Sequence, residues 1–371
     1  MNNNYSKAIA LAVAALGFAS ATQAQVAIKI TGSTAFRAEA HTSIIGLYGA
    51  NLTTKTPANA TTSSSTVTYV GTMPTLYGTN VVTVKTAFSG SVEGVVNLVS
   101  AANPSGVTQP GYLNADGSTD SVTAADFAFS DVYQNTTDYN DGLYAALDDT
   151  LVGVVCFAWT KGVTAPAGIS NISHQQAQQL FASGTIAQSF FTGNLADTAP
   201  VYLSGRYKLS GTRLTYQADC GYGANADATL YKLDASHNPI LDTVGQTGGG
   251  NVKTILLDAA ATAPFIGTLG TSDAAGVNGG ANRLTYNGVA FSKTAVQNGQ
   301  YSLWGYQHLM ARPGTSNTKL ILVKGTSNAD PLLSNGLAKA IDTALSSSAN
   351  NVQLSTMHVG RNGDGAPIYT N

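Results

Sequence analysis

The stretch QVAIKITGSTAFRAEAHTSIIGLYGA, Gln25 to Ala50, contains the pattern that decides the fold class. Apolar residues alternate along QVAIKITG, which predicts a β-strand, and the following Gly-Ser pair predicts a tight turn. Apolar residues then recur at helical spacing, at Phe36, Ala40, Ile44, Leu47 and Tyr48. The first unit is therefore predicted to be a strand, a turn and a helix.

Strands and helices alternate along most of the remaining chain. Further strands are predicted in TVTYVG, NVVTVKTAFSGS, DFAFSD, DDTLVGVVCFAWTK, APVYLS and TKLILVKG. Helices are predicted in SVEGVVNLVSAA, SHQQAQQLFASGTI and PLLSNGLAKAIDTALSSS, and from Thr212 onward. Residues 53–66 are predicted to form a surface loop. This alternation predicts an α/β fold with a largely parallel sheet, whose ligands bind at the carboxyl ends of strands.

Size and charge narrow the classes of function. With 371 residues, the chain exceeds what one core usually supports, so two lobes are expected. Charged residues make up 10% of the chain, far below the usual share of about 25%. The net charge is −2 and no basic block occurs, which argues against nucleic-acid binding. A single small anion needs only one arginine and several backbone N–H groups.

The N-terminus has the features of an export signal. Lys7 precedes an apolar run, Ala8 to Ala21, that is too short for a comfortable membrane span. We expect residues 1–24 to be a signal peptide, cleaved after Ala21 or Ala24. No cysteine lies near that site, so we expect no lipid anchor. The mature protein is expected to be periplasmic or secreted.

The chain contains two cysteines, Cys156 and Cys220. In an oxidising compartment they can pair, but their separation in sequence neither requires nor forbids a disulfide. Cys156 alternatively is a simple buried residue of the strand LVGVVCFAW. Both possibilities stay open at the level of the sequence.

Three hydroxyl residues lie where a strand ends and a helix begins: Thr34, Ser91 and Ser210. Helix N-termini offer free N–H donors and a partial positive charge. Arg206, four residues before Ser210, adds donors that match an oxyanion. Asp131 is an acceptor among these donors, so it selects an anion that carries a proton, as phosphate does and sulfate does not. Each hydroxyl alone is commonly a helix cap, and only the joint pattern predicts a site.

Four segments carry a family resemblance. ITGSTAF, FSGSVEGV, ADFAFSDV and GRYKLSGTR resemble, in this order, motifs of the periplasmic phosphate-binding proteins of ABC transporters. These proteins form the phosphate-specific transport substrate-binding family of the type 2 periplasmic-binding-protein superfamily. The resemblance covers about residues 26–216 and resumes, more weakly, at NGQYSLWGYQHL and the final helix.

The resemblance implies a two-lobed α/β fold, with mixed, mostly parallel sheets flanked by helices and a hinge. It implies that the first lobe binds phosphate through Thr34, the backbone N–H of Ala35, Ser91 and Asp131, the last accepting the phosphate proton. It implies that the second lobe contributes Arg206, Ser210, Gly211 and Thr212. No metal, cofactor or catalytic residue is implied, and a monomer is expected.

The lobes are predicted to divide the chain discontinuously. Lobe 1 comprises residues 25–150 and 300–371, and lobe 2 comprises residues 151–299. A region rich in glycine, about residues 246–282, has weak periodicity and is predicted to be loops around short strands, inserted into lobe 2. The chain crosses between the lobes near VVCFAW and QYSLWGY, and closure by hinge bending is expected.

The motifs depart from the family pattern at two places. Lys208-Leu209 replaces the usual Asp-Gly before Ser-Gly-Thr, which removes an acid that would orient Arg206. Val92-Glu93 replaces small residues in the second motif, so Glu93 places a second carboxylate near the anion.

Two functions follow. The chain is predicted to be an exported solute-binding protein for phosphate or a similar oxyanion, serving an ABC transporter. The alternative is a secreted structural or surface-interaction protein that keeps the fold and has lost the ligand. A hydrolase is disfavoured because no G-x-S-x-G elbow occurs and the five histidines are scattered. The segment 114–127 lacks the glycine and the bidentate acid of a calcium loop.

Overall fold

The computed structural model describes residues 25–100, 107, 109–326 and 330–371, so the predicted signal peptide lies outside the described residues. The strands are β1 Gln25–Gly32, β2 Leu52–Thr56, β3 Thr66–Thr72, β4 Val81–Phe88, β5 Phe127–Ser130, β6 Asp148–Lys161, β7 Asn171–Ile172, β8 Thr185–Ala187, β9 Pro200–Ser204, β10 Tyr231–Leu233, β11 Pro239–Leu241, β12 Phe265–Gly270, β13 Thr285–Tyr286, β14 Trp304–Ala311, β15 Val359–Gly360 and β16 Tyr369–Thr370. The α-helices are α1 Arg37–Tyr48, α2 Pro74–Tyr77, α3 Ser91–Val99, α4 His174–Ser183, α5 Ser189–Thr192, α6 Gly211–Asp219, α7 Gly249–Leu257, α8 Thr271–Ala275, α9 Lys293–Gln297, α10 Asn317–Lys324 and α11 Leu337–Leu345. Short 3₁₀ helices lie at Gly49–Asn51, Gln134–Thr136, Asn278–Gly280 and Leu354–Thr356.

Ten strands form one mixed sheet in the order β2-β3-β4-β1-β5-β14-β6-β12-β9-β8. Strand β1 pairs in parallel with β4 and β5, and β12 pairs in parallel with β9. The other neighbours in this sheet run antiparallel. The predicted α/β class with a mixed sheet is confirmed, and antiparallel pairing takes a larger share of the sheet than the sequence suggested.

Strand β6 joins the two halves of the sheet. Its first part, up to Cys156, pairs with β14, and its last part, from Phe157, pairs with β12. Residues 152–160 are all buried, as expected for a strand covered on both faces. This strand contains VVCFAW, where the first crossing between lobes is predicted. The lobe boundaries themselves stay predictions.

The turn after β1 depends on glycine. Gly32 has a φ of 107°, a conformation that L-residues rarely adopt. A Cβ at this position would lie 2.0 Å from the carbonyl oxygen of Phe129 in β5. The absence of a side chain therefore lets β1 end directly against β5 and brings Ser33 to the carboxyl edge of the sheet. The predicted strand, turn and helix are all present here.

Helix α4 begins and ends where the sequence predicts. Ser173 Oγ accepts a hydrogen bond from the backbone N–H of Gln176 at 3.2 Å, and the Gln176 side chain accepts one from the Ser173 N–H at 2.7 Å. Gly184 ends the helix in the left-handed conformation. The local sequence alone specifies this capping box and its glycine stop.

Replacing Ser173 with alanine is expected to lower the free energy of unfolding by about 1 kcal/mol, because the first turn of α4 loses its cap. Urea denaturation measures this loss. Ser236→Ala, at an exposed serine, is the matched control and should change stability by less than about 0.5 kcal/mol. Equal losses in both variants would contradict the capping role.

The glycine-rich region, predicted to be loops around short strands, contains more regular structure than that prediction. It contains α7, the buried strand β12 and α8, and β12 lies inside the sheet between β6 and β9. Glycines at residues 248–250 lie just before and within the first turn of α7. Because they precede VKTILL directly, the helical spacing of its apolar residues was not recognised from the sequence. This region therefore belongs to the main sheet, where β12 pairs with β9, the strand that precedes α6.

Two smaller predictions also failed. TKLILVKG forms helix α10 instead of a strand, with Gly325 in a positive-φ conformation at its end. A short apolar run fits either element, and periodicity does not separate them. Leu52–Thr56 is an edge strand inside the predicted loop, and its threonines and lysine give no apolar alternation.

Both cysteines are buried and unpaired, Cys156 on β6 and Cys220 at the end of α6. Burial raises the pKa of both thiols, that of Cys220 to about 12. Across the described ranges, no helix combines the length and the apolar character that crossing a membrane requires.

Candidate functional site

Helices α3 and α6 present uncapped N-termini. The N-cap residue of α3 is Gly90, so Ser91 is the first residue of the helix and its hydroxyl does not act as the cap. Ser210 is the N-cap residue of α6 by its backbone conformation. Within the described residues, neither helix receives a capping hydrogen bond from a side chain. The N–H groups of both first turns therefore remain available as donors.

Asp131 lies between these two helix starts. One carboxylate oxygen accepts a hydrogen bond from the Ser33 hydroxyl, and the other accepts one from Thr212 Oγ1 at 3.4 Å. Its backbone N–H donates to Ser91 Oγ at 3.3 Å. Burial raises the pKa of Asp131, and the hydrogen bond from Ser33 opposes this shift. The carboxylate is thus an acceptor held among hydroxyl groups from α6 and from the turn after β1.

Gly211 brings α6 into direct contact with α3. A Cβ on Gly211 would lie 2.5 Å from Ser91 Oγ, 2.7 Å from Ser91 Cβ and 3.1 Å from Asp131 Cβ. Real Cβ atoms essentially never come as close as the two contacts with Ser91 would require. Glycine at this position therefore sets how near the first turn of α6 comes to Ser91 and Asp131.

Gly211→Ala is expected to lower the free energy of unfolding by about 1–3 kcal/mol, because the added methyl group overpacks the contact with Ser91. Thermal and urea denaturation measure the effect. Gly46→Ala, on α1 with open space around it, should instead stabilise the protein by about 0.5–1 kcal/mol. Wild-type stability in Gly211→Ala would show that α6 is not fixed against α3.

Arg206 is buried beside this cluster and is held by backbone carbonyls. Its Nε donates to Gln246 O at 3.1 Å and its Nη2 donates to Thr247 O at 2.9 Å. No carboxylate among the described residues forms an ion pair with it. Burial lowers the pKa of Arg206, and the negative charge of Asp131 is among the influences that oppose this shift. Backbone carbonyls at the start of the glycine-rich region thus orient Arg206. In the motif that the sequence resembles, this role was expected of an acid at the position of Lys208.

The other predicted site residues take different positions. Ser210 is buried, and its hydroxyl makes no hydrogen bond to the part of the chain that the structure describes. Thr34 is half-buried and lines a cavity beside the cluster. The Ala35 N–H donates to Ser33 Oγ at 3.2 Å. The structure therefore brings Ser91, Asp131, Gly211 and Thr212 together, with Arg206 and Ser210 beside them.

Sequence reasoning missed Ser33. Its hydroxyl, and not that of Thr34, donates to Asp131. The signal was present, since Ser33 belongs to the same Gly-Ser-Thr turn, but two adjacent hydroxyl residues do not reveal which side chain faces the sheet edge. The carbonyls of Gln246 and Thr247 were also missed, and backbone acceptors have no signature in the sequence.

A cavity of about 780 Å³ opens beside the cluster. Its lining combines Thr34, Ser89 and Glu93, which precede β6 in the chain, with Tyr207, Thr247 and Lys253, which follow it. Glu93 is only 3% exposed, and its Oε2 has no hydrogen-bond partner in the described part of the protein. Burial raises the pKa of Tyr207, and the negative charge of Glu93 adds to this shift.

Comparisons with known proteins place the fold. No protein-family model and no curated protein matches the chain. A solved structure from Clostridium perfringens, described as a phosphate ABC transporter substrate-binding protein with bound phosphate, superposes with a TM-score of 0.54 at 13% identity. It covers 88% of this chain and 99% of that protein. An ABC-type phosphate transport receptor from Vibrio cholerae gives 0.47 at 15% identity, covering 85% and 98%.

The Clostridium structure establishes the fold. The resemblance that the four motifs indicated is confirmed at this level: the chain has the two-lobed α/β architecture of phosphate ABC transporter substrate-binding proteins. At 13% identity, this similarity shows the fold and not what the chain binds.

Proposed function

We propose that this protein is an exported solute-binding protein that captures phosphate, or a similar protonated oxyanion, between two lobes for an ABC transporter. The lobes would be residues 25–150 with 300–371, and residues 151–299. It would act as a monomer and without catalysis. The similar structure from Clostridium perfringens is described as holding bound phosphate, which supports the choice of ligand.

The buried, unpaired Arg206 is the observation that carries the proposal. A guanidinium keeps its charge in proteins, and a buried charge without a counter-ion is strongly unfavourable. Arg206 has only two carbonyl partners, and its Nη1 group makes no hydrogen bond within the described ranges. A bound anion would supply the missing negative charge and accept from the free N–H groups.

The neighbouring groups favour an anion that carries a proton. The first turns of α3 and α6 offer N–H donors, and Ser210 offers a free hydroxyl. Asp131 offers only acceptor atoms while it is ionised. Hydrogen phosphate has a proton to donate to Asp131, whereas sulfate would place two negative groups against each other. The site is therefore expected to prefer phosphate over sulfate.

Calorimetric titration of the purified mature protein at pH 7, after bound anion has been stripped, tests the proposal. We expect phosphate to bind and sulfate to give no heat. Lys208→Ala removes an exposed positive charge close to the site and should leave phosphate binding nearly unchanged, which controls for net charge. Absence of heat with phosphate, from a sample shown to be folded, would contradict the proposal.

One observation favours the alternative of a secreted structural or surface-interaction protein. Both carboxylate oxygens of Asp131 are hydrogen-bonded to the protein's own hydroxyls, and Arg206 binds the protein's own carbonyls. These hydrogen bonds satisfy part of the site without a ligand, as is expected of a protein that keeps the fold and no longer binds an anion. Failure of every small oxyanion to bind the folded protein would support this alternative.

A further inference from the structure

The cavity beside Arg206 is larger than inorganic phosphate needs. Its volume of about 780 Å³ falls within the range of about 300–1,000 Å³ that is typical of sites for organic ligands. Arg206 itself is not part of the lining, but Tyr207, which follows it, and Thr247, whose carbonyl accepts from its Nη2, both line the cavity. An anion bound at Arg206 would therefore lie close to this space.

The charged residues that line the cavity leave one carboxylate, that of Glu93, without an ion pair among the described residues. Lys253 and Asp273 form an ion pair at 3.6 Å, and Arg37 donates to Ser65 Oγ at 3.0 Å. Glu93 forms no ion pair with any described residue. Because it is buried, Glu93 loses water as a hydrogen-bond partner, and an unsatisfied buried acceptor is unfavourable.

Glu93 lies close to the helix starts that flank Asp131. It belongs to the first turn of α3, two residues after Ser91, and its charge acts on Arg206. A Cβ built on Gly90 would lie 3.6 Å from Glu93 Oε2 and 2.5 Å from the Tyr207 hydroxyl. The Glu93 carboxylate and the Tyr207 hydroxyl thus lie on the same side of Gly90, and Tyr207 directly follows Arg206 in the chain.

We propose that the cavity accepts the organic part of a small phosphate monoester that carries an amine. The phosphate group would occupy the site at Arg206, and the ammonium group would donate to Glu93. This inference rests on the proposed function of oxyanion binding. It assigns to Glu93 a role in selecting the ligand. The Glu93 carboxylate repels inorganic phosphate and attracts a phosphate monoester that also carries an ammonium group.

Calorimetry with three ligands at pH 7 tests the inference: inorganic phosphate, ethyl phosphate and phosphoethanolamine. The last two differ by a terminal ammonium group. We expect the wild type to bind phosphoethanolamine about tenfold or more tightly than ethyl phosphate. In Glu93→Gln this preference should fall to within about twofold, and inorganic phosphate should bind more tightly because a repelling charge is gone.

The outcomes separate the inference from the proposed function. If ethyl phosphate binds the wild type as well as phosphoethanolamine does, or if the preference persists in Glu93→Gln, the inference is wrong and phosphate binding stands. If none of the three ligands binds the folded wild type, both are wrong. Thermal denaturation checks the variant, which should be no less stable than the wild type since an unpaired buried charge has been removed.

Discussion

Arg206→Gln should weaken phosphate binding by about 100-fold or more. Removing one partner of a buried, hydrogen-bonded charge pair typically costs about 2–5 kcal/mol, and each 1.4 kcal/mol is about tenfold in affinity. Glutamine is neutral and shorter, so it provides neither the charge nor the paired donors of the guanidinium. Calorimetric titration with phosphate at pH 7 measures the loss directly.

Two comparisons make this prediction specific. Lys208→Ala removes one positive charge from an exposed neighbour and should change affinity by less than about threefold, since exposed charges are screened. Arg206→Lys keeps the charge and loses the planar fork, so its affinity should lie between the wild type and Arg206→Gln. Equal binding of phosphate by Arg206→Gln and the wild type would show that Arg206 does not contribute to the binding site. Denaturation of each variant shows whether the lost bonds to Gln246 and Thr247 unfold the loop.

Local patterns predicted those parts of the fold that depend on local chemistry. Ser173 and Gly184 bound α4 because a capping box and a left-handed glycine are complete within a dozen residues. The strand, turn and helix from Gln25 to Tyr48 follow from periodicity and one obligatory glycine. The order of strands in the sheet is set by packing between distant segments, and no local pattern specifies it.

The central position of β12 shows why the glycine-rich region was misjudged. Phe265–Gly270 is a six-residue strand with only three large apolar residues, and its neighbour β6 lies about a hundred residues earlier in the chain. Composition suggested loops around short strands, and pairing with distant segments placed one such strand inside the main sheet. The same distance hid the carbonyls of Gln246 and Thr247, which reach Arg206 from forty residues downstream.

The sequence predicted which kinds of chemical group form the site better than it predicted their positions. Hydroxyls beside glycine at helix starts predicted free N–H donors, and α3 and α6 have them. The sequence does not say which hydroxyl of Gly-Ser-Thr donates to Asp131. Ser33 and Thr34 are adjacent, and a small change in the backbone of the turn would decide which of the two faces the carboxylate. It also placed Glu93 near the anion without showing that its carboxylate is buried and faces a cavity.

Asp131→Asn should strongly reduce the preference for phosphate over sulfate. The amide keeps one acceptor and adds two donors, so the site would no longer require a proton on the ligand. We expect phosphate binding to weaken by about tenfold or more and sulfate binding to become measurable, because a donor replaces the group that repelled it. Calorimetry with both anions at pH 7 gives the ratio of affinities. Asp141→Asn, at an exposed aspartate, changes the net charge equally and should leave that ratio as in the wild type.

The pH dependence of the free energy of unfolding distinguishes this change of selectivity from damage to the fold. Burial raises the pKa of Asp131 above its unfolded value, so the folded protein holds this proton more tightly than the unfolded chain does. The contribution of Asp131 to stability is therefore largest in acid and is lost as pH rises from the ordinary value of about 3.9 through the raised one. Asparagine has no such loss, so Asp131→Asn should be at least as stable as the wild type at pH 7. A variant that is clearly less stable there, or one that is stable and still rejects sulfate, would show that Asp131 does not select the ligand by accepting its proton.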